Sequence, residues 1–343
     1  TANMGTGILA LMLALFPYGH WGQAEIAKAL WCINSFFFAL FSILFLSRAI
    51  FYFRDFQKLF DHPVQSLFIG AIPMGFATII NGFFIIWPLR PESLAVATAF
   101  WWMDVILALT SVLLVPYFMF TSQGHSMERM TAAWLLPIVP PEVTAASGGL
   151  VAPHLASAAA ENVIYMSYVL WAISVLLAMG ILAILLLRLT LHKLPHQDMA
   201  VSSWLTLGPL GTGAMAMITL GNADFASFHG VLAEMAHFAQ MAGLMIALLL
   251  WGFGLWWMCM AIFFTLRYLR EGLPFNMGWW GFTFPLGVFN AATYLLADKT
   301  GFWVFQPLGA VFTILLAFFW VIVTRKSFLG MWTGRLFRAP CLS

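Results

Sequence analysis

Ten stretches of predominantly apolar residues follow one another along this chain of 343 residues, and they leave few folds open. They lie at about 2–18, 26–53, 65–87, 94–120, 129–150, 162–190, 200–221, 239–266, 277–297 and 302–324. A bilayer core about 30 Å thick takes roughly 20 apolar residues per helix. Only helices or closed barrels satisfy their backbone hydrogen bonds in lipid, and continuous runs of this length mean helices. With 62% hydrophobic and 8% charged residues, the chain lies far from a soluble domain, in which charged residues approach a quarter. The expectation is an all-α integral membrane protein. Residues 1–326 form one transmembrane domain of ten helices, and 327–343 a mildly basic, amphipathic tail at the cytoplasmic interface.

The cations support that count. Arg48, Arg54, Lys58, Arg129, Arg188, Lys193, Arg267, Arg270, Arg325, Lys326, Arg335 and Arg338 fall on one side of ten crossings. Only Lys28, Arg90 and Lys299 fall on the other. Twelve against three places both termini in the cytoplasm by the positive-inside rule, with the plasma (inner) membrane as the expected location. The first span begins at Thr1, so a short preceding segment is expected, and no cleaved signal is read there. Cys32, Cys259 and Cys341 have neither disulfide nor metal spacing.

A small mark recurs in alternate stretches: a helix-breaker, a bulky apolar residue and a small one. It reads Asn3-Met4-Gly5, Pro73-Met74-Gly75, Pro137-Ile138-Val139, Pro209-Leu210-Gly211 and Pro285-Leu286-Gly287, at intervals of 64 to 76 residues. Each interval holds one pair of crossing helices. The odd-numbered helices are rich in Gly, Ala, Thr and Pro, whereas the even ones are bulky, as in Phe36-Phe37-Phe38. Small residues let backbones approach, proline kinks a helix, and irregular backbone at membrane depth belongs inside protein or beside water. Five parallel helical hairpins with the odd helices inside, around a central pore, are therefore predicted. A parallel ring suits a channel or a gated permease, in contrast to inverted-repeat carriers.

Aligning the marks puts Ala2, Ile72, Leu136, Gly208 and Phe284 just before the break. One ring at that level would close a narrow lumen; the plainer reading is that Phe284 faces lipid or protein. Five residues past the break stand Ile8, Thr78, Glu142, Ala214 and Asn290, a partial polar layer. Asn3, Thr6, Asn81, Ser147 and Thr212 join it as candidates for the path. Intramembrane acids are costly and mark function by default. Asp104, on an even helix, is explained by an interhelical hydrogen bond, whereas Glu142, after Pro140-Pro141, is a candidate for proton coupling. The inner helices hold no Lys or Arg, so an anion would be attracted only by backbone N–H groups and helix ends. Such weak attraction suits passage. No phosphate loop, zinc motif or nucleophile elbow occurs, and no enzyme activity, cofactor, metal or nucleic-acid partner is expected.

At these marked helices the chain resembles the tellurite-resistance/dicarboxylate transporter family, within the slow-anion-channel superfamily, and among its members the fungal sulfite efflux pumps most. The resemblance rests on Asn3-Met4-Gly5-Thr6-Gly7 and on His62-Pro63-Val64-Gln65-Ser66 leading into Pro73-Met74-Gly75-Phe76-Ala77-Thr78. It continues through Met130-Thr131-Ala132-Ala133-Trp134, His192-Lys193-Leu194-Pro195 and Gly208-Pro209-Leu210-Gly211. The longest match is Pro274-Phe275-Asn276-Met277-Gly278-Trp279-Trp280-Gly281-Phe282-Thr283-Phe284-Pro285-Leu286-Gly287-Val288-Phe289. The resemblance implies a homotrimer with one pore per subunit, closed by a Phe of the ninth helix; Phe284 matches that position, with Phe282 as the runner-up. The fungal pumps carry an apolar residue where Glu142 stands, which points toward proton-linked movement. The connection from Asn222 to Gly230 lacks a longer fungal insert. Three functions stay open here: efflux of sulfite or hydrogen sulfite, proton-coupled transport of a C4-dicarboxylate, and a non-conducting sensor or scaffold.

Overall fold

The computed structural model describes residues 1–19, 22–222, 230–334 and 336. His20, His229, Arg335, Arg338, Cys341 and the segment 223–229 lie outside the described residues. Among the described residues there are eleven α-helices and no strands. Five are long: α2 (Gln23–Phe51), α5 (Pro91–Thr121), α7 (Ser157–His192), α9 (Val231–Glu271) and α11 (Phe305–Trp332). Five shorter ones alternate with them: α1 (Ala2–Ala14), α4 (Ala71–Ile85), α6 (Pro140–Val151), α8 (Leu207–Gly221) and α10 (Phe284–Thr300). The nine-residue α3 (Phe53–Asp61) stands apart from this alternation.

Six helical segments are long and apolar enough to cross a membrane: Gln23–Phe51, Ser66–Ile85, Pro91–Thr121, Ser157–His192, His237–Glu271 and Phe305–Trp332. The protein is therefore an all-helical, multi-pass membrane protein. The other apolar stretches are divided. A tighter 3-10 segment precedes four of the short helices, at Ser66–Gly70, Ala132–Leu135, Gln197–Thr206 and Met277–Phe282. The prolines explain the division, and they do not act as the kinks expected from the sequence. Pro73, Pro141, Pro209 and Pro285 all lie within the first three residues of their α-helices. There the missing N–H is one that the helix could not have used. Pro137 sits ahead of α6, in the turn joining it to its 3-10 segment.

The short helices form a closed ring. α1 packs on α4, α4 on α6, α6 on α8, α8 on α10, and α10 returns to α1. Each also packs on the long helix that follows it. Every residue of α8 is buried, whereas α2 buries only Ala27, Trp31 and Asn34. Small residues bring the inner backbones together. A Cβ on Gly211 would stand 2.5 Å from the Phe289 amide nitrogen and 2.9 Å from the Val288 carbonyl carbon, so α8 meets α10 backbone to backbone.

Five tryptophans lock this ring to its outer layer. Trp31 of α2 donates its indole N–H to the Ile79 carbonyl of α4 at 3.2 Å, and Trp101 of α5 to the Thr144 carbonyl of α6 at 2.8 Å. Trp171 of α7 donates to the Gly213 carbonyl of α8 at 3.1 Å, and Trp251 of α9 to the Thr293 hydroxyl of α10 at 2.9 Å. Trp320 of α11 closes the circuit on the Thr6 hydroxyl of α1 at 3.0 Å. Each long helix is thus tied to the short helix of the next pair. Indole N–H groups buried away from water need such acceptors.

α3 was not expected from the apolar runs, because it is amphipathic instead of continuously apolar. Phe56 rests on Phe45 and Phe60 on Phe118, with ring centroids 5.5 and 5.2 Å apart. Its polar face holds the Asp55–Lys58 ion pair at 2.9 Å, which keeps the Asp55 carboxyl below its ordinary range through the Lys58 hydrogen bond and charge.

Candidate substrate pathway

All five short helices line one cavity of about 580 Å3. Its wall is built in layers, one residue from each helix. Ile8, Thr78, Val143, Thr212 and Val288 form the first layer, and Leu11, Asn81, Ala146, Met215 and Ala291 the second. Leu15, Ile85, Leu150, Thr219 and Leu295 form the third. Successive members are 70, 65, 69 and 76 residues apart in every layer, which is a five-fold repeat written in side chains. The positions within each helix recur three and four residues apart, as one helix face requires. Beyond the third layer the wall continues to Pro17, Asp298, Trp303 and Gln306 around the C-terminal ends of α1 and α10.

One turn the other way, the same spacing gives Met4, Met74, Val139, Gly208 and Phe284. These five border a void of only about 10 Å3, and Phe284 alone belongs to both this void and the large cavity. Its ring is 2% exposed. Gly208 leaves room opposite: a Cβ there would meet only Val139 Cγ1, at 4.0 Å. The layer sits at the N-terminal ends of all five short helices, which converge there around Phe284.

Of the residues singled out in the sequence, Thr78, Asn81, Thr212 and Phe284 line the large cavity. Asn3, Thr6, Glu142, Ser147 and Asn290 do not. Their side chains turn outward or along their own helix. Asn3 Nδ2 donates to the Asn34 carbonyl at 3.1 Å, and Thr6 accepts from Trp320. The Ser147 hydroxyl donates to the Val143 carbonyl at 3.2 Å, and Asn290 Nδ2 to the Thr313 hydroxyl at 2.8 Å. Phe282 lies behind the ring, stacked on Phe319 with centroids 4.7 Å apart and edge-on to Trp204. Asp104 sits between α5 and α6, where the Thr144 hydroxyl donates to it at 2.7 Å.

The reason is register. The sequence marks run at intervals of 70, 64, 72 and 76 residues, against 70, 65, 69 and 76 for the cavity wall. Each residue of slip turns a side chain by about 100° around an α-helix of 3.6 residues per turn. Glu142 precedes the wall residue Val143 by one position, and Asn290 follows Val288 by two. The level of Phe284 shifts in part: Met4 and Met74 stand where alignment of the marks put Ala2 and Ile72, while Leu136 borders the void together with Val139.

Glu142 is nonetheless one hydroxyl from the cavity. The hydroxyl of the wall residue Thr212 stands 2.7 Å from both Glu142 Oε1 and the Gly208 carbonyl oxygen, within donating distance of either. Glu142 is fully buried, its Oε2 has no hydrogen-bond partner, and no ion pair among the described residues involves it. Among the described residues the cavity wall carries no Lys or Arg, and its one charged member is Asp298 near the mouth. The missed signal was the tryptophan series: Trp31, Trp101, Trp171, Trp251 and Trp320 recur at 70, 70, 80 and 69 residues and mark the five units.

A closed ring of short helices around a plugged, mostly apolar cavity, wrapped in exposed apolar helices, defines a membrane channel or transporter. The chain belongs to the voltage-dependent anion channel family, whose profile matches residues 1–327. It is 40% identical to a sulfite efflux pump of Arthroderma otae over 98% of this chain and 91% of that protein. An uncharacterized transporter of Methanocaldococcus jannaschii is 30% identical over 98% of this chain and 95% of its own length. A malic acid transport protein of Schizosaccharomyces pombe is 22% identical over 94% of this chain and 75% of its own length. The resemblance read from the sequence motifs is borne out. By name these relatives are transporters and channels rather than enzymes.

Proposed function

We propose that this protein carries sulfite or hydrogen sulfite out of the cell along the axis of the helix ring, with Phe284 as the barrier. The observation that carries the reading is the layered wall, with Phe284 standing between a cavity of about 580 Å3 and a void of about 10 Å3. In this reading all ten alternating helices cross the membrane as five parallel hairpins, with four of the short helices extended across by their 3-10 segments. Ten of the described cations lie toward the face where the short helices begin, against Lys28, Arg90 and Lys299 at the other. That bias supports cytoplasmic termini in a plasma membrane. The exposed apolar faces of helices such as α2 suit lipid and the neighbours of a homotrimer.

Anion preference follows from what the wall has and lacks. Five helix N-termini each present a fraction of a positive charge at the constriction. Without Lys or Arg in the wall, no side-chain cation holds an anion there, so it can leave. Sulfite is the substrate named for the Arthroderma relative, and a small oxyanion fits a path whose next obstacle is one aromatic ring. The test is sulfite flux into proteoliposomes of the purified protein, with chloride and malate compared. Flux of sulfite well above malate is expected. Absence of flux for all three, in the wild type and in Phe284→Ala, would favour a sensor or scaffold.

A second reading has its own observation. Glu142 is buried, without a cation, and joined to the wall through Thr212, which is where a proton-linked carrier of a dicarboxylate would place an acid. The malic acid transport protein among the relatives supports it. Malate uptake driven by a pH gradient would establish it in place of the first.

A further inference from the structure

A second cavity, of about 430 Å3, lies at the face where the short helices begin, and the pathway does not use it. Three of the five helix pairs build it. Pro63 and Leu67 come from the approach to α4, Trp134 from the approach to α6, and Arg188 from the last turns of α7. Neither α1 nor α10 contributes to its wall, so it sits to one side of the axis.

Its charge is unbalanced. Two fixed cations, Arg129 and Arg188, line it against one carboxylate among the described residues, Glu128, with His125, His192 and His196 as further polar members. Asp198, outside the wall, stands with its carboxylate 3.1 Å from His196 Nδ1. Arg188 is the informative member, because it is 3% exposed. Its two terminal nitrogens donate to the carbonyls of Lys193 and Glu128, both at 2.5 Å. Its Nε has no partner, and no ion pair among the described residues involves it. Carbonyl groups satisfy donors without cancelling charge. A buried cation with an unpartnered donor is costly, so an anion beside Arg188 Nε recovers free energy. The volume falls in the range of about 300–1,000 Å3 typical of sites for organic ligands. A bare inorganic ion would leave most of it unfilled.

We propose that this off-axis cavity binds a phosphate group borne by a small organic molecule or a lipid head, with Arg129 and Arg188 as its cationic contacts and Trp134 as its apolar wall. Guanidinium groups suit phosphate because their forked N–H donors match its oxygens. Trp134 is held edge-on against His125, with centroids 5.2 Å apart, and offers the organic part a flat surface. The inference stands independently of the central cavity being the transport route.

Binding of glycerol 3-phosphate to the purified full-length protein, followed by calorimetry, tests this without any flux measurement. Saturable binding is expected, weakened at least tenfold by Arg129→Gln, a change at an exposed position that leaves packing intact. Arg188→Lys keeps the charge and loses the fork, and should weaken binding as well. Repeating the titration in nanodiscs with and without phosphatidic acid separates the sources. Competition by that lipid identifies a lipid head, and lack of competition identifies a soluble phosphate. No saturable binding, or binding unaffected by both substitutions, overturns the proposal.

Discussion

Truncating Phe284 to alanine should open the path, and the size of the effect can be worked from its surroundings. The ring is 2% exposed and stands between the large cavity and the void among Met4, Met74, Val139 and Gly208. Passage in the wild type requires the ring to leave this seat. Burial of a Phe side chain is worth about 1.5–3 kcal/mol, so displacing it slows passage by that amount. At about 1.4 kcal/mol per tenfold, removing the ring should raise anion flux roughly 10- to 150-fold. Folding stability should fall by about 3 kcal/mol, the lower end for a buried Phe→Ala change, because one side of the ring already faces a cavity. The assay is sulfite flux in proteoliposomes at matched protein content, with thermal unfolding in detergent as the control. Gly208 provides an internal check. A Cβ there meets nothing nearer than 4.0 Å, so Gly208→Leu in the Phe284→Ala background should refill the constriction and return flux toward the wild-type level. A folded Phe284→Ala protein with unchanged flux would refute the whole argument, since no other single side chain divides the two spaces.

Three further outcomes follow from the geometry. Glu142→Gln keeps a carbonyl for Thr212 to donate to, so flux and its pH profile should stay within roughly twofold of wild type, the scale of a change that disturbs no packing; loss of pH dependence would favour the proton-linked reading. Gly211→Ala drives a methyl group into the backbone of α10, which cannot yield as a side chain can, so a loss of about 1–3 kcal/mol is expected by thermal unfolding; a neutral result would show that α8 and α10 are further apart. His125 is held below its ordinary value, first by burial and then by the charge of Arg129. The folded state therefore binds fewer protons than the unfolded chain between that lowered value and about 6.5, and this histidine's contribution to stability falls as pH drops through the window. Arg129→Gln should move its NMR titration midpoint upward without restoring the ordinary value, and an unmoved midpoint would rule out Arg129 as a cause.

Comparing sequence with structure separates two kinds of information. The apolar runs alone dictated a multi-pass helical protein, because lipid leaves the backbone no other way to satisfy its hydrogen bonds. The division into small-residue and bulky helices was also legible: Gly211 and its neighbours are buried in the ring, and Phe36 and Ile43 remain exposed on α2. Composition averaged over a helix needs no register. The side-chain pathway does, and there the repeated prolines misled. Proline records where a helix begins, and a helix can begin one or two residues earlier or later while its backbone still joins the ring. That offset rotated Glu142 and Asn290 out of the wall and left Thr78 in it. α3 went unseen because a nine-residue amphipathic helix leaves no continuous apolar run.

By itself, then, the sequence determined that this chain lives in a membrane as alternating tight and bulky helices, and its motifs disclosed its family. Only the tertiary structure decided which face of each inner helix looks into the cavity, that Thr212 ties Glu142 to the wall, and that Arg188 lies buried with its Nε unpartnered. Hydropathy acts on every residue independently of its neighbours. Facing depends on angles near 100° per residue, fixed when five helices close on one another through contacts far apart in the chain.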